Sequence, residues 1–206
     1  MTWDKYFFDV CNAIAKNSKC LSRKVGAVLV KDNSIIATGY NRPPRGVPSC
    51  SLRGLYDSTL LKELSEFEEK NNIYFEDGCV GKNLPNMVKD YRDIKLNECP
   101  RKMLGYKTGE GLHLCVAGHG ERNALVNAAR HGVITKDAKL YCNCPVPCKD
   151  CLIEIINAGI SEIIYSSCGS VVYNETTVND PDEIYYDKMS EYLIKTSGIK
   201  IREYVF

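Results

Sequence analysis

No run of apolar residues in this 206-residue chain approaches the length needed to span a membrane. The opening, Met1-Thr2-Trp3-Asp4-Lys5, has neither the basic stretch nor the apolar core of an export signal. These absences lead to the expectation of a cytoplasmic protein with no membrane partner. Excess charge is missing too. Lys and Arg number 27 against 26 Asp and Glu, a net of +1, so a polyanion-binding face is not indicated and no nucleic-acid polymer is expected as partner. There is no internal repeat and no low-complexity tract. The length fits one domain, 1–206, better than two, and 44% hydrophobic with 26% charged residues is an ordinary globular balance. Cysteine, by contrast, is abundant. Its count of eleven is odd, and without an export signal thiols are more often metal ligands or buried free residues than disulfides.

Apolar periodicity orders the chain. Thr2 to Asn17 reads as a helix with Thr2 as N-cap. Val25–Val30 and Ile35–Tyr40 are apolar runs separated by Asp32-Asn33, which predicts a hairpin. Asn41 to Cys50, rich in Pro and Gly, is an irregular loop of the kind that carries ligand contacts. About 52–112 reads as an insertion, with one helix on Leu60, Leu61, Leu64 and Phe67 and a wet face of Glu63, Glu66, Glu68 and Glu69. A second short helix is expected within 83–95. From His119 a helix runs to Gly132, a third strand covers Lys139–Cys142, and a helix opens at Cys148. A fourth strand (160–166), a polar excursion (167–181), a last helix (182–196) and a final strand (200–206) complete the chain. Strands alternating with helices after a hairpin predict an α/β fold, a mixed sheet with helices on both faces.

Two segments carry the chemistry. His119-Gly120-Glu121 offers an imidazole and, two residues on, a carboxylate. Pro147-Cys148-Lys149-Asp150-Cys151 offers two thiols at a helix start, where the dipole favours the thiolate. His119, Cys148 and Cys151 match the three protein ligands of a catalytic zinc, which keeps a fourth position for water. Glu121 is then free to move protons: it takes one from the water that the metal acidifies and passes protons to a ring nitrogen and a leaving amine. A C-x-x-C alone would fit a redox motif, and a purely structural zinc would leave Glu121 without a purpose. H-x-E followed by P-C-x-x-C is the signature of zinc-dependent nucleobase deaminases.

The wider pattern, Cys20…Val25-Gly26-Ala27-Val28, Gly39-Tyr40-Asn41, His119-Gly120-Glu121-Arg122-Asn123-Ala124 and Pro147–Cys151, resembles the deoxycytidylate (dCMP) deaminase family over about residues 3–166. The resemblance implies a cytidine deaminase-like three-layer α/β/α fold with a mixed central sheet. It further implies hydrolysis of dCMP to dUMP for thymidylate supply, and a homo-oligomer, often a hexamer, that dCTP with Mg2+ activates and dTTP inhibits. By position it assigns Ser22 and Lys24 to the substrate phosphate, and Asn41 and Tyr173 to the nucleotide. Gly39, Tyr40, Arg42 and Arg45 fall in the loop that binds regulatory dNTP in controlled members, although Arg42 replaces the usual glycine. Relatives with a second, structural zinc point to Cys20 and Cys50, with Cys99 and Cys115 completing a four-thiol set and His113 as a competing ligand. Cys11, Cys79, Cys142, Cys144 and Cys168 are left as packing or exposed thiols. Gly120, where most members carry alanine, raises the expectation of a roomier pocket that admits 5-substituted dCMP.

Two rival functions remain. One is a deaminase of the same fold acting on another cytosine nucleotide, a nucleoside, a base or a tRNA adenosine. The other is a non-catalytic binding module on this scaffold, which the intact Glu121 disfavours.

Overall fold

The computed structural model describes residues 1–72, 96–107, 109–166 and 188–206. The expected helix within 83–95 and the excursion at 167–181, with Tyr173, Cys79 and Cys168, lie outside the described residues. The chain divides into two compact units. The first comprises 1–18, 23–42 and 118–206, and the second 19–22 and 43–117.

The first unit is built on a five-stranded sheet ordered β2-β1-β3-β4-β5, with β1 Gly26–Lys31, β2 Ser34–Tyr40, β3 Lys139–Cys142, β4 Glu162–Tyr165 and β5 Lys200–Glu203. β1 runs antiparallel to β2 and β3, while β3, β4 and β5 are parallel. The mixed sheet is thus as expected. Asp32 and Asn33, with φ of 50° and 56°, close the hairpin. Two left-handed residues in succession match the right-handed twist of the strands they join.

Period-two alternation sends side chains to opposite faces. Ala27, Leu29, Leu140, Cys142 and Ile163 pack on one side with α5 (Gly120–Arg130), α6 (Lys149–Asn157) and partly buried Leu193 and Ile194 of α7 (Lys188–Ser197). Val28, Val30, Tyr141 and Ile164 pack on the other with Phe7, Phe8 and Cys11 of α1 (Trp3–Ala15). These layers are the three-layer α/β/α architecture. Thr2 caps α1, accepting from the Lys5 backbone N–H, as the sequence predicted. No helix among the described residues is long and apolar enough to cross a membrane.

Helix α5 lies very close to edge strand β2. A Cβ on Gly39 would stand 2.2 Å from Ala124 N and 2.3 Å from Gly120 O, so only glycine permits this approach. The Asn123 and Asn127 amides clamp the same pair, donating to the carbonyls of Tyr40 (2.8 Å) and Thr38 (2.7 Å).

The second unit carries α2 (Arg53–Tyr56), α3 (Ser58–Asn71) and α4 (Pro100–Met103), plus single 3-10 turns at Cys50–Leu52 and Leu112–Leu114. Leu60, Leu61, Leu64, Leu96, Met103 and Leu114 form its core. One expectation is corrected: Glu68 is buried, not on the wet face. Its place one helical turn beyond Leu64 puts it in the Leu60–Leu64 stripe.

Candidate metal centre

Both metal-ligating segments sit at helix starts. His119 is the N-cap of α5, and Cys148 is the N-cap of α6, with Cys151 in its first turn. His119 Nδ1 lies 3.5 Å from Cys148 Sγ and 3.3 Å from Cys151 Sγ. All three donor atoms are within 4.8 Å of one another, which no other set of three or more His, Cys, Asp or Glu among the described residues achieves. Zn–N and Zn–S bonds of about 2.0 and 2.3 Å at a tetrahedral angle separate N from S by about 3.5 Å. The donor set and its spacing therefore fit zinc.

The electrostatics agree with a thiolate trap. The Cys151 thiol beside it, and then the His119 ring, hold Cys148 down to about 4. The same contact with Cys148, together with burial, drives Cys151 well up. The Cys148 contact also raises His119. Without metal, Cys148 is the anion and its two partners share the protons that a metal would displace.

Glu121, in the first turn of α5, is buried. Its Oε1 accepts from the Cys144 thiol at 3.6 Å. Its Oε2 is buried with no hydrogen-bond partner among the described residues. A buried carboxylate oxygen left unpaired costs about 1–3 kcal/mol or more, an expense characteristic of a working site. Arg122 Nε donates to Glu154 at 2.8 Å, joining the helix that carries His119 to the helix that carries both thiols.

A sequence profile described as "Cytidine and deoxycytidylate deaminase zinc-binding region" matches residues 1–167. The chain belongs to this family. Deoxycytidylate deaminase of Schizosaccharomyces pombe is 29% identical over 204 residues, covering 99% of this chain and 44% of that protein. Deoxycytidylate deaminase of Mycobacterium phage D29 is 30% identical over 168 residues, covering 79% of this chain and 93% of that one. The chain spans about half the length of the fungal relatives it matches. In fold it is similar to dCMP deaminase from the cyanophage S-TIM5, with a TM-score of 0.53, 18% identity, and 98% of this chain and 96% of that one covered. That phage enzyme has also been crystallised with dCMP and dUMP.

Other predicted residues of this family member distribute as follows. Asn41 is buried: its Oδ1 accepts from Val25 N (2.8 Å) and its Nδ2 donates to Arg23 O (2.9 Å). The Arg42 and Gly118 backbones exchange two hydrogen bonds, of 3.2 and 2.9 Å. That bridge brings Asn41 and Arg42 alongside His119. Tyr40 lies under the Arg42 guanidinium, 5.9 Å from ring centre to Cζ. Gly39 is occupied by packing on α5, as described. Lys24 is half-buried in the first unit, whereas Ser22 and exposed Arg45 belong to the second. Gly120 does not enlarge a pocket. A methyl there would point at Val25 Cγ1, 3.1 Å away, and at the start of β1, so the physical ground for 5-substituent tolerance falls away.

In the second unit, the Cys50 thiol is pushed up to about 12 by burial and by the nearby thiols of Cys20, Cys99 and Cys115. Ser22 N donates to Cys20 Sγ at 3.4 Å, and the backbone N–H groups of Arg101 and Lys102 donate to Cys99, whose burial still raises it. The four thiols are neighbours, but no three of their sulfurs lie within 4.8 Å of one another. His113, the competing ligand, is exposed and stacks edge-on against Tyr106.

Three contributors escaped the sequence reading. Cys144, expected only as a packing or exposed thiol, is buried, as are Cys11 and Cys142, and it touches Glu121. Arg122 and Asn123 were legible as motif letters, but their partners, Glu154 and Tyr40, lie 32 and 83 residues away.

Proposed function

We propose that this chain carries out zinc-dependent hydrolytic deamination of dCMP: dCMP and water give dUMP and ammonia. The observation that carries the reading is the convergence of His119, Cys148 and Cys151 beside a buried Glu121 whose Oε2 has no partner among the described residues. Zinc held by those three side chains would supply Lewis-acid activation of the attacking water. Glu121 takes that water's proton and returns protons to the ring nitrogen and the departing amine. Arg122–Glu154 ties the two ligand-bearing helices together, and the Asn123 clamp seats the first of them on β2.

The choice of dCMP is supported by relatives named deoxycytidylate deaminase and by the phage enzyme crystallised with dCMP and dUMP. On this reading Asn41, beside His119 through the Arg42–Gly118 bridge, contributes its remaining amide hydrogen to the nucleotide. By family position, Ser22 and Lys24 are assigned to the phosphate and Tyr173 to the nucleotide. Gly39, Tyr40, Arg42 and Arg45 form the region for a regulatory dNTP with Mg2+, dCTP activating and dTTP inhibiting, and the working form is a homo-oligomer, a hexamer. Cys20, Cys50, Cys99 and Cys115 hold a second, structural zinc. Supporting that assignment is the proximity through which, beyond the effect of burial, the Cys20, Cys99 and Cys115 thiols raise Cys50; a bound ion would have to draw the four sulfurs closer together than they stand. No disulfide joins the nine described cysteines, as suits a reducing cytoplasm.

The test is ammonia release from dCMP, dCTP, cytidine and 5-methyl-dCMP by the zinc-loaded protein. Turnover of dCMP well above the others is expected. A zinc-replete preparation that releases none from dCMP overturns the reading.

A further inference from the structure

We propose that Cys144 is a positioning residue: its thiol anchors Glu121 through Oε1 and so leaves Oε2 as the proton-handling oxygen. The inference rests on the deaminase reading for its kinetic consequence, though not for its geometry.

Cys144 is 7% exposed and Glu121 4%. Between them runs the Sγ–H···Oε1 contact of 3.6 Å, the one hydrogen bond to that carboxylate among the described residues. A hydrogen bond with the neighbouring Cys142 thiol, and then burial, push Cys144 well up, keeping it in the protonated form that can donate. Its backbone is fixed from the adjacent position. Asn143, fully buried, donates its backbone N–H to Gly26 O (3.2 Å), accepts at Oδ1 from Gly26 N (2.7 Å), and donates from Nδ2 to Asn12 (2.9 Å). The end of β3 is thereby locked to β1 and α1, and Cys144 is held against α5 by groups that have no part in metal binding.

A carboxylate on a three-carbon side chain must be restrained to work as a shuttle, since reacting atoms have to meet at about 3 Å. A strong donor such as an amide or guanidinium would restrain it but also draw off its charge. A thiol is a weak donor. It orients the group with less withdrawal of charge and adds no water to the site. The alternative is that Cys144 only fills space, since it belongs to the apolar cluster around Leu140 and Leu152.

Three variants separate these roles. Cys144→Ser keeps a donor and loses volume. Cys144→Val fills the space, being somewhat larger, and loses the donor. Cys144→Ala loses both. With zinc content and melting temperature recorded for each, we expect kcat for dCMP to fall about ten- to a hundredfold in Cys144→Val and Cys144→Ala, with KM changed less than about threefold. Cys144→Ser should recover part of the loss. Full activity in zinc-loaded Cys144→Val overturns the proposal. An infrared measurement reads the contact without any turnover. The S–H band found in the wild-type minus Cys144→Ala difference should lie below that of an unbonded thiol, and should move up in Glu121→Gln. A band at the unbonded position overturns the anchor even if the protein proves inactive on dCMP. A lowered band in a protein that does not deaminate dCMP would instead sink the deaminase reading and leave the anchor standing.

Discussion

Replacing Gly39 with alanine gives a stringent test of how the site is held. The added Cβ would stand 2.2 Å from Ala124 N and 2.3 Å from Gly120 O. Unstrained contacts between such atoms need about 3.5 Å, so β2 and α5 must part by roughly 1 Å. Both obstacles are backbone, and no side chain can rotate away. Overpacking of this kind costs about 1–3 kcal/mol. The same displacement stretches the Asn123–Tyr40 and Asn127–Thr38 bonds, 2.8 and 2.7 Å at present, beyond useful length, at about 1 kcal/mol each. Against this, alanine lowers the entropy of the unfolded chain by about 0.4–1 kcal/mol. A net loss of about 3 kcal/mol corresponds to a fall in melting temperature of about 6–12 °C for a chain of this size. His119 and Glu121 ride on the displaced end of α5, whereas Cys148 and Cys151 belong to α6, so zinc affinity should fall as well. Calorimetry and competition with a chromogenic chelator measure the two effects. A melting temperature within about 2 °C of wild type, with unchanged zinc affinity, would refute the close-packing argument. If only a dCTP response were altered, Gly39 would be serving the effector and not the helix.

Glu121→Gln should retain zinc while dCMP turnover drops about 10²- to 10⁴-fold, and near-normal turnover in a zinc-replete sample would remove Glu121 from the proton path. Metal analysis of the intact chain is expected to give two zinc ions, and Cys50→Ser one; a wild-type value of one eliminates the four-thiol centre. Zinc affinity should rise with pH, because the raised His119 and Cys151 hold protons that binding must expel; potentiometric titration that finds no proton release would contradict this. Arg202 beside Asp4 holds its carboxyl below the usual range. The resulting stabilisation is present above the unfolded carboxyl value and vanishes as pH falls through the lower folded one. Being partly exposed, it should amount to less than about 1 kcal/mol. Acid denaturation of Asp4→Asn should therefore lack part of the wild-type dependence below about pH 4, and identical acid limbs would argue that the ion pair contributes nothing.

Much of this was legible because the signals are local. Thr2 as a cap, the Asp32-Asn33 turn and the β3 run Lys139–Cys142 are read from neighbours in sequence, and the structure places them as expected. The three metal ligands were legible for a different reason: H-x-E and C-x-x-C are short spacings at helix starts. What stayed hidden depends on distant partners. Nothing around Cys144 distinguishes it from Cys142 until α5 is laid against the sheet. Gly120 was misread because a missing methyl says nothing about direction, and the direction is toward Val25. Glu68 was misread because the four-residue repeat from Leu60 through Leu64 was followed only as far as the apolar letters continue.

All three proposed ligands to the catalytic zinc come from 119–151, a single uninterrupted stretch of helix, strand and helix. The segment that a shared metal ion would close is therefore short, and closing a short segment costs less chain entropy than closing a long one. The hairpin's part is different: it seats α5, and with it His119, against β2.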